Sequence, residues 1–240
     1  MSADSGETAT PPLARVAGPG DVPAALKSLG ITAGRPVMVL VGGAGGMSPE
    51  QMAALAGVIG QIIPALGDWG AAVVDGGTDA GVMRVIGQAR DTAGAAFPLV
   101  GVAAEGTVIV PGQRPAPDAA PLDRHHSQVI LVPGDTWGDE SPWLSRVATA
   151  IAGGQPSITL VVNGGEITYD DIEHSLRDGR PVLVLAGTGR TADAIAAAAS
   201  GQDGDPRAAR AAASPGTRVV PLDDPAALRA SIRSVLSPAG

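Results

Sequence analysis

The chain has 240 residues, of which 45% are hydrophobic, a formal net charge of −8 and no cysteine. This supplies ample apolar material for one large core, and it excludes disulfides, cysteine-held zinc and a cysteine nucleophile. The acidic balance argues against a general nucleic-acid or anionic-membrane binder, since both need a basic face.

Residues 1–20 are rich in Ser, Thr, Pro and Gly and are expected to form a disordered tail ahead of one domain over 21–240. Met1 to Pro12 lacks the apolar segment of a signal peptide, and no apolar run reaches the roughly 20 residues of a membrane span, so a cytoplasmic protein is expected. Only five aromatic residues occur, so the core must be built from Val, Leu, Ile and Ala. Arg outnumbers Lys fifteen to one, a bacterial genomic bias rather than a chemical signal.

A short helix is expected from Val22 to Leu29, and the apolar run Val37–Val41 reads as the first strand. Ser48-Pro49-Glu50 has the form of an N-cap, a proline in the first turn and an early acid. Met52, Leu55, Ile59, Ile62 and Ile63 then follow at helical spacing. A second strand is expected over 71–75 with a helix over 80–90, and a third strand over 99–103. Residues 104–124 carry Pro111, Pro115, Pro117 and Pro121 and read as a long flexible surface loop. Further strands are expected over 128–132, 158–162, 181–186 and 218–221. The helices between them run over 141–152, 168–177 and 190–199, with a closing helix after Asp224-Pro225. Residues 201–216 read as a second flexible loop. Apolar strands alternating with amphipathic helices predict a doubly wound, mostly parallel α/β sheet with helices on both faces, a Rossmann-like single domain.

Three strands end in glycine-rich turns: Gly42-Gly-Ala-Gly-Gly46, Asp75-Gly-Gly-Thr78 and Asn163-Gly-Gly-Glu166. Each offers bare amides at a helix N-terminus, where negative charge is favoured. Phosphate contact and a merely tight turn both fit each one alone. The first lacks G-x-G-x-x-G spacing, and no Walker A lysine follows it. Gly187-Thr-Gly-Arg190 adds a guanidinium at a fourth helix start, suited either to an anion or to solvent. His125 and His126 are adjacent on an extended segment and should point to opposite faces, so no metal site is expected; one of them is a candidate to line the crevice. The carboxylate pairs Asp139-Glu140 and Asp170-Asp171 read as solvated caps.

Five segments in order, from Gly76-Gly-Thr-Asp-Ala-Gly through Val100-Gly-Val-Ala-Ala-Glu-Gly106, His125-His-Ser-Gln, Asn163-Gly-Gly-Glu and Gly187-Thr-Gly-Arg-Thr-Ala-Asp193, resemble the SLOG superfamily. The branch most similar is the N-terminal domain of melastatin-type transient receptor potential channels with its stand-alone prokaryotic relatives. The resemblance implies a Rossmann-like fold that binds a nucleotide-derived small molecule, ADP-ribose or a cyclic relative, as a ligand sensor with no cofactor required. It assigns phosphate contacts to Arg146 and Arg190 and phosphate or ribose contacts to Gly76, Gly77 and Thr78; the remaining glycine-rich strand ends add Gly43, Gly45, Gly46, Gly164, Gly165, Gly187, Thr188 and Gly189 as candidate ligand contacts. Pairing through flanking helices, as in relatives, implies a homodimer. The hydrolase branch carries Pro-Gly-Gly-x-Gly-Thr-x-x-Glu. Here Ile167 replaces the third glycine and Asp171 the terminal acid, one methylene shorter. An alternative reading is therefore a nucleotide N-glycosidic hydrolase using Asp171 with Glu166 or Asp170. A third is a scaffold protein with a vestigial pocket.

Overall fold

The computed structural model describes residues 10–43 and 45–237. The strands are β1 (Leu13–Arg15), β2 (Val37–Gly42), β3 (Ala72–Asp75), β4 (Leu99–Ala104), β5 (Val108–Ile109), β6 (Ala120–Pro121), β7 (Gln128–Val132), β8 (Ser157–Val162), β9 (Val182–Ala186) and β10 (Thr217–Pro221). The helices are α1 (Val22–Ser28), α2 (Pro49–Asp68), α3 (Gly81–Thr92), α4 (Ser141–Ala152), α5 (Glu166–Arg177), α6 (Arg190–Ala199), α7 (Pro206–Ala213) and α8 (Pro225–Leu236).

Eight strands form one sheet in the order β1-β7-β4-β3-β2-β8-β9-β10, every pairing parallel. The strands are buried on both faces and divide their side chains between two cores. Val37, Val39 and Val41 point to the core shared with α1 and with α4 through α7. Met38 and Leu40 point to the opposite core, under α2, α3 and α8. This is why the strands read as continuous apolar runs rather than alternating ones. The chain builds outward from β2 through β3 and β4 to β7, then returns to the other side of β2 as β8. Right-handed crossovers in the two directions put the helices of each half on opposite faces. The reversal leaves a crevice outside the carboxyl ends of β2 and β8, where ligands of open α/β sheets bind.

Three expectations need correction or narrowing. Residues 1–20 are not wholly a tail. Leu13–Arg15 adds an edge strand to β7, with the Val16 amide donating to the Leu131 carbonyl at 3.0 Å. Leu13 and Ala14 pack against the cores, and Val16 is buried, so this segment gains apolar burial that its composition disguises. Residues 1–9 lie outside the described residues. Residues 201–216 contain α7, whose Asp205 cap accepts from the Arg207 amide at 2.8 Å, with Pro206 in the first turn. Its buried face is only Ala208 and Ala211, too small to give a visible apolar stripe. The 104–124 excursion is pinned by the β5–β6 pair and by burial of Val108 and Val110.

At Gly77, φ is +67° and an added Cβ would sit 2.8 Å from the Gly101 Cα. Both the backbone conformation and the close approach exclude a side chain. Gly77→Ala should lower unfolding free energy by about 2 kcal/mol or more in a urea titration.

Candidate functional site

The crevice is organised where β2 meets β8. At Gly42, φ is +120° and an added Cβ would fall 1.9 Å from the Val162 carbonyl oxygen, so the chain can turn there only as glycine. The Gly43 amide then donates to Val162 at 3.0 Å. The next residue on β8's side, Asn163, is buried in the left-handed region at φ 54°. Its Nδ2 donates to the Gly45 carbonyl at 3.2 Å and also to the Thr188 carbonyl. Its Oδ1 accepts from the Gly164 amide at 2.8 Å, and its own amide donates to Thr188 Oγ1 at 2.7 Å. One side chain thus ties three of the glycine-rich turns together.

Arg190 opens α6, also with positive φ, 50°. Its guanidinium lies over the backbone of two glycines. An added Cβ would meet Nη1 at 3.0 Å from Gly45 and Nη2 at 3.0 Å from Gly165. The side chain makes no hydrogen bond to a described residue. Two non-glycine residues in the left-handed region, Asn163 and Arg190, concentrate backbone strain at this edge of the sheet.

These turns open onto a cavity of about 550 Å³. Of the sequence-derived candidates, Gly43, Gly76, Thr78, Gly165, Glu166, Asp171 and Arg190 line it. Gly45 lies behind the Arg190 guanidinium. Gly46, Gly77, Gly164, Gly187, Thr188 and Gly189 do not line it and shape the turns instead. Thr188 Oγ1, for example, donates to the Leu185 carbonyl at 2.7 Å and is fully buried.

Arg146 is the clear correction. It is exposed on α4 and is absent from the lining. Leu144 does face the cavity, and two residues along a helix is a rotation of about 200°, which carries Arg146 to the opposite side. The cation set therefore reduces to Arg190, the one basic residue on the lining among the described residues. Neither histidine lines the crevice. His125 Nδ1 is 2.7 Å from Asp123, and His126 Nε2 is 2.7 Å from Asp75 Oδ1. Among the described residues no group of three His, Asp or Glu is placed to hold a metal ion.

The Asp75–His126 pair holds the cavity lip from below. Asp75 Oδ1 also accepts from the Gly77 amide at 2.8 Å, while the Asp123 amide donates to the Gly77 carbonyl at 2.9 Å. Burial opposes charging of His126, but the Asp75 carboxylate and its hydrogen bond, with Asp123 behind, outweigh burial and raise the imidazole above its ordinary range.

Asp171 departs most from its reading as a solvated cap. It is buried in the cavity wall, and its Oδ1 has no hydrogen-bond partner among the described residues. Burial pushes its carboxyl up to about 7; the Ser141 hydroxyl works against this, and Glu140 and Asp170 reinforce it. Glu140 also lines the cavity and is raised by burial, with Oε2 accepting from the Gly138 amide at 3.0 Å. Glu166 instead stays exposed and pairs with Arg207 at 2.6 Å. The sequence reading missed Trp137, Glu140 and Asn163 as site residues. Trp137 offered a signal, being one of few aromatics and set in a polar turn.

The two buried titrations act in the same direction. His126, raised in the native state, gives stability that is complete below the ordinary value of 6.5 and fades as pH climbs through its native value. Asp171, raised from 3.8 to about 7, makes the unfolded chain shed its proton first, so stability falls as pH rises across that interval. Asp171→Asn should therefore be more stable than the parent at pH 8, by at most about 4 kcal/mol, with the difference vanishing near pH 4. Denaturant titrations at the two pH values measure it.

Comparison with known proteins places this geometry. The prokaryotic family described as "SLOG in TRPM" matches residues 35–230. The mouse (Mus musculus) transient receptor potential cation channel subfamily M member 2 is 30% identical over 170 residues, a match covering 55% of this chain and 11% of the channel. The chain thus corresponds to only a small part of that relative's length. The X-ray structure of TM1055, a structural-genomics target, superposes with a TM-score of 0.50 at 19% identity, over 82% of this chain and 99% of that one, a likeness of fold alone. No helix among the described residues is long and apolar enough to cross a membrane. With a family match that begins just ahead of β2 and ends within α8, the chain belongs to the prokaryotic SLOG-in-TRPM family.

Proposed function

We propose that the crevice binds a nucleotide-derived ligand of the ADP-ribose class and that the domain acts as its sensor. Membership of the family carries a nucleotide-related role at the coarse level. The observation that carries the finer reading is Arg190. Its guanidinium is laid over the backbone of Gly45 and Gly165 at the topological switch point, on the wall of a cavity whose volume suits a ligand of that size. The Gly43 and Gly165 amides are engaged by the Val162 carbonyl and by Thr168 Oγ1, so a diphosphate at this point is held by the guanidinium fork and favoured by the positive N-terminal end of α5. At the mouth, Trp137 is 41% exposed and offers a flat face against which a base can stack.

Calorimetry with ADP-ribose, cyclic ADP-ribose, NAD and AMP tests this. At least one should bind, and Arg190→Gln should weaken that ligand at least tenfold, about 1.4 kcal/mol, with an unchanged melting temperature. No heat from any of the four, on folded protein, rejects the proposal.

A second reading, cleavage of a nucleotide N-glycosidic bond, is favoured by Asp171. A carboxyl titrating near 7 and facing a ligand cavity is suited to general acid–base work at neutral pH. Incubation with a nucleotide panel should then release free base, and Asp171→Asn should abolish the release. Intact nucleotides after prolonged incubation leave binding without turnover.

A further inference from the structure

We infer that the part of the cavity wall formed by Trp137, Glu140 and Asp171 is a subsite for a cationic heteroaromatic group, a pyridinium or a protonated base, carried by the nucleotide ligand. The inference rests on the nucleotide reading above and specifies what lies beyond the phosphates.

Three side chains of different origin meet on that wall. Trp137 and Glu140 come from the turn ahead of α4, and Asp171 comes from the second turn of α5. The turn is seated on α5: an added Cβ on Gly138 would touch the Ile167 side chain at 3.4 Å. Ile167 and Asp171 are four residues apart and share one helix face, so Asp171 emerges beside the same turn. The wall therefore combines an exposed indole face with two carboxyl groups. It has no basic residue of its own, since Arg190 is the single cation on the lining among the described residues.

Asp171 carries the argument past a mere cluster of acids. It lines the cavity at 8% exposure; its Oδ1 is closed off from solvent without a hydrogen-bond partner among the described residues, which leaves the other carboxyl oxygen as the one with surface on the cavity. A buried carboxyl short of partners is costly to ionise, and an incoming positive group lowers that cost. An anion is repelled here. A neutral group relieves one oxygen. A cation relieves both Asp171 and Glu140 and also gains the face of Trp137, because an aromatic ring attracts positive charge along its axis. An indole face beside two carboxyl groups distinguishes a positive ring from a neutral one. The burial that holds the Asp171 proton is reversed when the cation arrives, so binding expels that proton to buffer.

The oxidised and reduced forms of nicotinamide adenine dinucleotide share their phosphates, riboses and adenine, and they differ in the charge of one ring. Calorimetric titration of both at pH 8, with ADP-ribose alongside, isolates the subsite. The oxidised form should bind at least about tenfold tighter than the reduced form. That ratio should shrink as pH is lowered below about 7, where Asp171 is protonated. Heats measured near pH 6.5 in two buffers of different ionisation enthalpy should show proton release with the oxidised form only. The double variant Glu140→Gln with Asp171→Asn should bring the ratio close to one while ADP-ribose still binds; a melting curve checks that it folds. Free nicotinamide is assayed in the same samples, so that turnover is not read as binding. Equal affinity for the two forms overturns the subsite while nucleotide binding stands. A ratio that survives the double variant overturns it as well. Loss of all binding, ADP-ribose included, by the folded parent protein rejects the nucleotide reading and the subsite with it.

Discussion

The close contact between the carboxyl ends of β2 and β8 is the constraint on which the rest of this architecture depends. A Cβ at Gly42 would stand 1.9 Å from the Val162 carbonyl oxygen, so the two central strands can run together to their ends only with glycine there. That contact lies where the winding direction of the sheet reverses. The reversal opens a crevice, and the glycine lets backbone rather than side chain form its floor. Asn163, held in the left-handed region, then uses its single amide group to join turns from β2, β8 and β9. The turns are thereby held in one arrangement, and the cost of strained backbone is met by hydrogen bonds buried from water.

Charge is distributed unevenly across this site. The protein is acidic overall, yet one guanidinium is set against the amide-bearing turns, where no large side chain competes for space. The same cavity is lined by Glu140 and Asp171, whose carboxyl groups burial raises above their ordinary range. The same low-dielectric setting explains why Asp171 and Glu140 are perturbed while exposed acids such as Glu166 are engaged in solvated ion pairs.

The lip formed by Gly76 to Thr78 obeys a similar logic. Gly77 crosses over Gly101 at backbone contact distance, and its amide and carbonyl are claimed by Asp75 and Asp123. Both carboxyl groups are fully buried, Asp75 against His126 and Asp123 against His125. Removing only one partner of such a group leaves a buried charge unpaired, which is far more costly than the pair itself is stabilising. Gly87 in α3 takes part too, since any Cβ there would collide with Asp123 at 2.7 Å. A histidine pair that reads as a poor chelator in the sequence is thus two separate supports for one backbone turn.

The sequence alone determined most of the elements and their order, because those depend on local rules: apolar runs for strands buried on both faces, helical spacing for α2, and Ser48 with Pro49 as its cap and first turn. It also determined which turns needed glycine, and through five ordered segments it pointed to the family. Only the tertiary structure decided what those turns enclose. Arg146 and Arg190 look alike in the chain, but helix rotation sends one to solvent and the other to the crevice. Asp171 looks like a cap, yet packing of α4 on α5 buries it and moves its titration. Residues 13–15 and α7 went unread because their burial comes from partners more than a hundred residues away, or from alanines too small to leave a periodic trace. Local periodicity is written in neighbours a few positions apart, whereas burial, charge coupling and cavity shape arise between segments that meet only when the sheet closes its order.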